Sequence, residues 1–265
     1  MSLLAVGLPE LEAVAAALDT GRLRPPVSAA SLAGLVEGTA ARGRLARVLE
    51  GAGEGVVAAE WLRCVAAERR RTQAHADRVE LVWSGPEVDG CPSRDTAVIV
   101  RDLFRQAKRD VLIASFALDY GERAEALFGE LARRMDGEPA LAVRMFVNVH
   151  RDKSTEAEPV LVRAFAERFR GSIWPGRRLP VVYYDPRALA PQGGPRACLH
   201  AKCVVIDDTR AFVTSANFTE AAQARNIEAG VVVEDAAFAK QLRAQFDGLV
   251  ESGVVRVVAG LGGGE

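Results

Sequence analysis

Histidine is scarce in this chain. His75, His150 and His200 are the only three among 265 residues. Cysteine is almost as rare, and Cys64, Cys91, Cys198 and Cys203 include no Cys-x-x-Cys pair. That absence excludes the usual structural zinc patterns. Cys198, His200 and Cys203 lie close together, but an extended strand points the two thiols to opposite faces, so they read as apolar thiols rather than ligands. The N-terminus has no basic leader, and Pro9, Glu10 and Glu12 break its apolar run early. The expectation is therefore a cytosolic protein with reduced thiols. No stretch nears the roughly 18 apolar residues of a membrane-spanning helix. A net charge of −1 excludes a disordered polyelectrolyte or a wholly basic coat for nucleic acid. What is present is ordinary for a soluble globular chain, with 49% hydrophobic and 26% charged residues.

The composition shifts near residue 76. Residues 1–76 are rich in Ala, Leu, Arg and Glu and read as a small helical region of about four helices. Leu11, Val14, Ala15 and Leu18 form the first apolar face, which Thr20-Gly21 stops. Ser28 to Leu32 opens a second helix, Leu45, Val48 and Leu49 mark a third, and Val57 to Ala76 a fourth. From residue 77 to 265 the texture alternates. Helical stretches at 98–108, 122–135, 156–169 and 236–250 separate β-rich runs at 111–116, 141–149, 181–184, 199–206, 211–214 and 227–233. Such alternation predicts an α/β sandwich with a buried sheet between helices.

One stretch carries chemistry. His200 and Lys202 are two apart on a predicted strand and so share a face. An imidazole beside an ammonium suits an anionic group: the lysine neutralises charge while the imidazole attacks or moves a proton. Ser215 and Asn217 close the next strand and offer hydrogen bonds to the same anion. Glu228, on a third strand, is placed to accept the other imidazole N–H and set its tautomer. A lone histidine in an apolar strand is ordinarily a core residue. The ordered set is more specific than any member of it.

That set, His200-x-Lys202-x4-Asp207 followed by Ser215-x-Asn217 and Glu228, resembles the phospholipase D superfamily. The resemblance extends in fold terms over about residues 79–258. It implies a phospholipase D-like sandwich of a mixed β-sheet flanked by helices. His200 becomes the nucleophile that forms a phosphohistidine, Lys202 and Asn217 bind phosphate oxygens, Ser215 assists, Glu228 orients the histidine, and Asp207 is structural. No metal or other cofactor is implied. Thr214 departs from the family's usual glycine and predicts a narrower approach to phosphate. The segments Val79–Glu87 and Arg94–Thr96, with the helical N-terminal region, also resemble the phospholipase D-like component of the bacterial DISARM anti-phage system. This implies a defence role with other subunits of that system as partners.

The family's chemistry uses two such motifs, and this chain has one. His150 is followed by Lys153, three positions away, so it reads as a loop residue. His75 reads as a solvated residue at a polar helix end. The resemblance thus implies a homodimer in which two copies of His200 complete one site. Residues 163–202 hold eight cationic against two acidic side chains. Arg177, Arg178, Arg196 and Tyr184 are the residues expected to bind nucleic acid there. The expected activity is a metal-independent nuclease, most naturally on DNA. The alternatives are hydrolysis or transfer of phospholipid or small phosphodiesters, and a non-cleaving nucleic-acid-binding subunit.

Overall fold

The computed structural model describes residues 6–51, 55–151, 155–190 and 197–261, with the side chains of His75 and Ala76 outside that description. Contacts divide the chain into residues 1–77 and 78–265.

The first unit is helical. Helix α1 (Leu8–Asp19) starts with Pro9 in its first turn and Glu10 reaching back to the Gly7 amide. It stops at Thr20 and at Gly21, whose φ is +69°. Helices α2 (Thr39–Glu50) and α3 (Gly55–Ala76) complete the unit. Leu11, Val14, Leu32, Leu45 and Leu62 fill its core. The helix expected from Ser28 does not form. Ser28 and Ser31 each accept the other's amide N–H through their hydroxyls, at 2.9 and 3.1 Å. Those local bonds compete with helix, and residues 29–35 form turns instead.

The second unit is built on a mixed sheet. Its elements in chain order are β1 (Val79–Ser84), β2 (Arg94–Asp95), α4 (Thr96–Gln106), β3 (Asp110–Ser115), α5 (Glu122–Gly137), β4 (Ala142–Val147), α6 (Glu158–Arg168), β5 (Val181–Tyr184), β6 (Cys203–Ile206), β7 (Arg210–Thr214), α7 (Glu220–Ala224), β8 (Glu228–Val233), α8 (Ala236–Glu251) and β9 (Arg256–Val257). The strand order is β2-β1-β8-β7-β6-β3-β4-β5-β9. Strands β3, β4 and β5 are parallel, while β6, β7, β8 and β1 run alternately antiparallel beside them. The two-residue strands β2 and β9 were too short to register as alternation. The β1 run, Val-Glu-Leu-Val-Trp-Ser, did not register either, although it pairs along its whole length with β8.

Both faces of the central strands are covered. Val111, Ile113, Met145, Val204, Ile206 and Phe212 pack with residues of α4 and α5. Leu112, Ala114, Phe146 and Val205 pack with Ala239 and Phe246 of α8. The β6 run Cys-Val-Val-Ile is buried at every position, as a strand covered on both faces must be. Of the two thiols flanking His200, read as buried and apolar, Cys203 is buried and Cys198 is exposed; Cys64 and Cys91 are exposed as well. Burial pushes the Cys203 thiol up to about 12.

The β6–β7 hairpin turns through Asp207 and Asp208, both with positive φ (50° and 57°), as a primed turn requires. Aspartate tolerates this region better than most residues. The Asp207 carboxylate accepts the amide N–H groups of Lys108, Arg109 and Asp110 at 2.8–3.0 Å. Burial alone would raise its pKa, but the three amides outweigh that and hold it below the ordinary carboxylate range. This fastens the hairpin to the start of β3.

Asp207→Asn keeps the turn's backbone but loses the charge and one acceptor. It should cost about 1–3 kcal/mol near neutral pH. A depressed native pKa contributes stability that is lost as pH falls through it. The melting-temperature gap between the two proteins should therefore be widest near neutrality and close toward acid.

Candidate active site

The topology brings five distant segments to one end of the sheet. Parallel β3 and β4 end there, at Ser115 and Val147. Antiparallel β6 begins there, β7 ends there at Thr214, and β8 begins there at Glu228. The chain beyond those ends carries Phe116, Asn148–His150, His200–Lys202, Ser215–Asn217 and Glu228.

His200 and Lys202 lie in an extended segment just before β6 rather than within it. The Thr214 amide donates to the Lys202 carbonyl at 3.1 Å and continues the ladder. Lys202 is only 8% exposed. Its Nζ lies 2.9 Å from His200 Nδ1 and 3.1 Å from Nε2, and donates to the His200 carbonyl at 2.9 Å. It also sits 5.7 Å from the Phe116 ring centroid. Burial lowers the Lys202 pKa below the ordinary lysine value, although Glu228 and Cys198 pull the other way. The His200 ring is exposed, so the pair presents a cation and an imidazole at one accessible point.

Glu228 is placed differently from the sequence expectation. It accepts from the Ser215 hydroxyl at 2.5 Å and from Asn226 Nδ2 at 3.3 Å; no hydrogen bond joins it to His200 among the described residues. The Ser215 hydroxyl in turn accepts the Ala229 amide N–H at 3.2 Å. Asn217 lies past the end of β7, and its Oδ1 accepts the Ala117 amide at 3.3 Å. Buried Ser115 completes this seam by accepting the Phe218 amide at 3.1 Å. Thr214 is accommodated from across the ladder. It pairs with Gly230, where an added Cβ would stand 2.9 Å from the Thr214 Cβ. Its hydroxyl is used locally, donating to the Ala229 carbonyl and accepting from the Ala216 amide.

His150 is a loop residue, as its spacing from Lys153 predicts, and it lies beside the site. The Phe116 ring is flanked by both histidines, with centroids 5.0 Å from His150 and 4.9 Å from His200. The available signal was the parallel pairing of neighbouring strands, whose carboxyl ends converge on a ligand crevice in α/β sheets.

The residues expected to bind nucleic acid are dispersed. Arg178 is committed to structure: its guanidinium donates to the carbonyls of Met135, Glu138, Pro139 and Leu141 where α5 turns into β4. Arg177 is exposed, and its amide holds Asp136. Both precede β5, at the sheet end opposite His200, about six residues or 20 Å of strand away. Tyr184 is 5% exposed and donates its hydroxyl to Glu158 at 2.8 Å. Burial, then Glu158, pushes its pKa up to about 12. Trp174 is likewise core, donating to the Arg178 carbonyl. Arg196 lies outside the described residues. Among those described, no cluster of three or more His, Cys, Asp or Glu is arranged to hold a metal, and no helix is long and apolar enough to cross a membrane.

The family model described as cardiolipin synthase, PLD-like domain, matches residues 100–250, more than half of the chain. The chain belongs to the phospholipase D superfamily. A curated relative, the DISARM protein DrmC of Bacillus paralicheniformis, is 23% identical over 161 residues, spanning 61% of this chain and 59% of the relative. The chain thus spans about three fifths of that protein's length. Among solved structures, the phospholipase D family member Nuc from Salmonella typhimurium aligns with a TM-score of 0.42 at 17% identity, covering 68% of this chain and 96% of Nuc. Phosphatidylserine synthase of Haemophilus influenzae aligns with a TM-score of 0.45 at 17% identity, covering 70% of this chain and 41% of its own.

Arg178→Ala tests the reassignment of that residue. It strips a charged donor from four carbonyls and should destabilise by about 2–3 kcal/mol, visible as a lower melting temperature. Affinity for nucleic acid, measured on the folded variant, should not change.

Proposed function

We propose that this chain is a metal-independent nuclease that acts through a phosphohistidine on His200, in anti-phage defence. The observation that carries the reading is the His200–Lys202 pair, an accessible imidazole with a largely buried ammonium 2.9 Å away. Lys202 would balance the charge of a bound phosphodiester and hold one of its oxygens. A His200 nitrogen would attack phosphorus, forming a P–N bond as the P–O bond to the leaving strand breaks. A second histidine would give that oxygen its proton and then take one from water. Water would then attack phosphorus, break the P–N bond and free His200. Asn217 has no partner for its Nδ2 among the described residues and would serve the same phosphate. Ser215, held by Glu228, would do so from the other side. The charge stabilisation comes from Lys202 and imidazole, so the step needs no metal ion. The defence role is supported by the likeness to DrmC, whose name places that relative in DISARM; partner subunits from such a system follow from the same likeness.

The second histidine would come from another copy of this chain. A strip of exposed apolar side chains supports that pairing. Leu81, Val231 and Val213 are cross-strand neighbours on β1, β8 and β7, at 44%, 36% and 36% exposure. The strip continues to Ala229, which is bonded to Ser215 at the site. A second copy would bury this strip and bring its own His200 across a two-fold axis.

Purified protein should cleave DNA in excess EDTA, and His200→Ala should lower the rate by at least about 10³-fold. Hydrolysis of phospholipid without DNA cleavage would overturn the nuclease reading. The shared site has a separate test. When wild type and His200→Ala are co-expressed in equal amounts, one site per dimer leaves about a quarter of the activity, and independent sites leave about half. A strict monomer by light scattering would also overturn the pairing.

A further inference from the structure

The carboxamide of Asn217 has a defined orientation, and its cause lies two strands away, on β3. Asn217 Oδ1 accepts the Ala117 amide N–H at 3.3 Å. An N–H can meet only an acceptor, so the oxygen faces Ala117 and the two Nδ2 hydrogens point elsewhere. Residue 117 is itself held. The Ser115 hydroxyl donates to the Ala117 carbonyl at 2.6 Å, and the same oxygen accepts the Phe218 amide N–H at 3.1 Å. The Asp119 amide donates to the Phe218 carbonyl at 3.2 Å, where Leu118 and Phe218 pair as a short parallel bridge. Ser115 closes β3 and is 0% exposed. The four residues before it, Val111 to Ala114, are apolar and packed in the core. A hydroxyl buried in such a strand is costly unless it is bonded. Both of its bonds go to the loops that carry Phe116 and Asn217.

We propose that Ser115 is a positioning residue for the His200 site, acting through Ala117 and Asn217. Its hydroxyl fixes residue 117, the Ala117 amide fixes Asn217 Oδ1, and Nδ2 is thereby presented to the phosphate that Lys202 would neutralise. Without the hydroxyl, the Phe218 N–H and the Ala117 carbonyl lose their shared partner, and the carboxamide is free to turn. The inference deepens the nuclease reading and rests on it for the anion being a phosphodiester.

The test is a double-mutant cycle on cleavage of a DNA strand in EDTA. Asn217→Ala should lower kcat by about 10²-fold, the usual loss when one donor to a developing charge is removed. Ser115→Ala should lower kcat by about tenfold and leave KM within about twofold. In the Asn217→Ala background the same change should cost less than about twofold more. Ile113→Val, a buried truncation on the same face of β3, should leave kcat unchanged. Equal effects of Ser115→Ala in both backgrounds would mark a general loss of packing and overturn the proposal, as would an unchanged kcat. If Ser115→Ala does not fold, Ser115→Cys, with a weak thiol donor, enters the same cycle. If wild type cuts no strand, the nuclease reading fails and phosphate binding decides the positioning claim. Inorganic phosphate should then shift the NMR signals of the Asn217 side-chain amide in wild type and not in Ser115→Ala. Equal shifts in the two proteins, or none in wild type, would overturn it.

Discussion

Three main-chain amides, those of Lys108, Arg109 and Asp110, converge on the carboxylate of Asp207. That interaction ties the β6–β7 hairpin to the first residue of β3, and the arrangement of the site depends on it. Side chains alternate along a strand, so a one-residue slip of β6 against β3 would turn Lys202 to the other face. The anchor and the buried run Cys203–Ile206 together set the register. With it set, His200 meets Phe116, the Ser215–Asn217 loop meets Ala117, and Lys202 is enclosed. Residues a hundred positions apart become neighbours because the carboxylate anchor and the buried β3–β6 ladder hold one hairpin in register.

Enclosing Lys202 has a cost that suits its chemistry. An ammonium with 8% exposure has given up most of its water, and its lowered pKa records that loss. An arriving phosphate would restore a full negative partner. Glu228 lies near enough to moderate the lysine but spends its hydrogen bonds on Ser215 and Asn226. The structure thus encloses the Lys202 ammonium beside an exposed His200 imidazole, the arrangement that the proposed phosphate binding would use. The Gly230–Thr214 pair follows the same economy: bulk gained in one strand is matched by a glycine in the next.

Much of this was legible in the residues. The alternation from residue 79 onward gave the layered architecture, and the ordered set from His200 to Glu228 named residues that the fold gathers at one end of the sheet. Period and spacing are local signals, and those features are local. What escaped was set by competition or by tertiary pairing. Ser28 and Ser31 bond each other, which no apolar periodicity reveals. Arg178 reads as a surface cation beside Arg177, yet the turn between α5 and β4 claims it for four carbonyls. Tyr184 reads as a stacking platform, yet the alternation of β5 buries it. His150 lacks a lysine two positions on, and only the pairing of β4 beside β3 shows it sharing a phenylalanine with His200.

The proposed chemistry turns on a bond from a His200 nitrogen to phosphorus. The direct measurement is mass spectrometry of the protein quenched at alkaline pH during turnover of DNA in EDTA. The expected result is an acid-labile phosphoramidate on the peptide containing His200, absent in His200→Ala. Turnover with no adduct on His200 under any quench, or an adduct on His150 in its place, would contradict it.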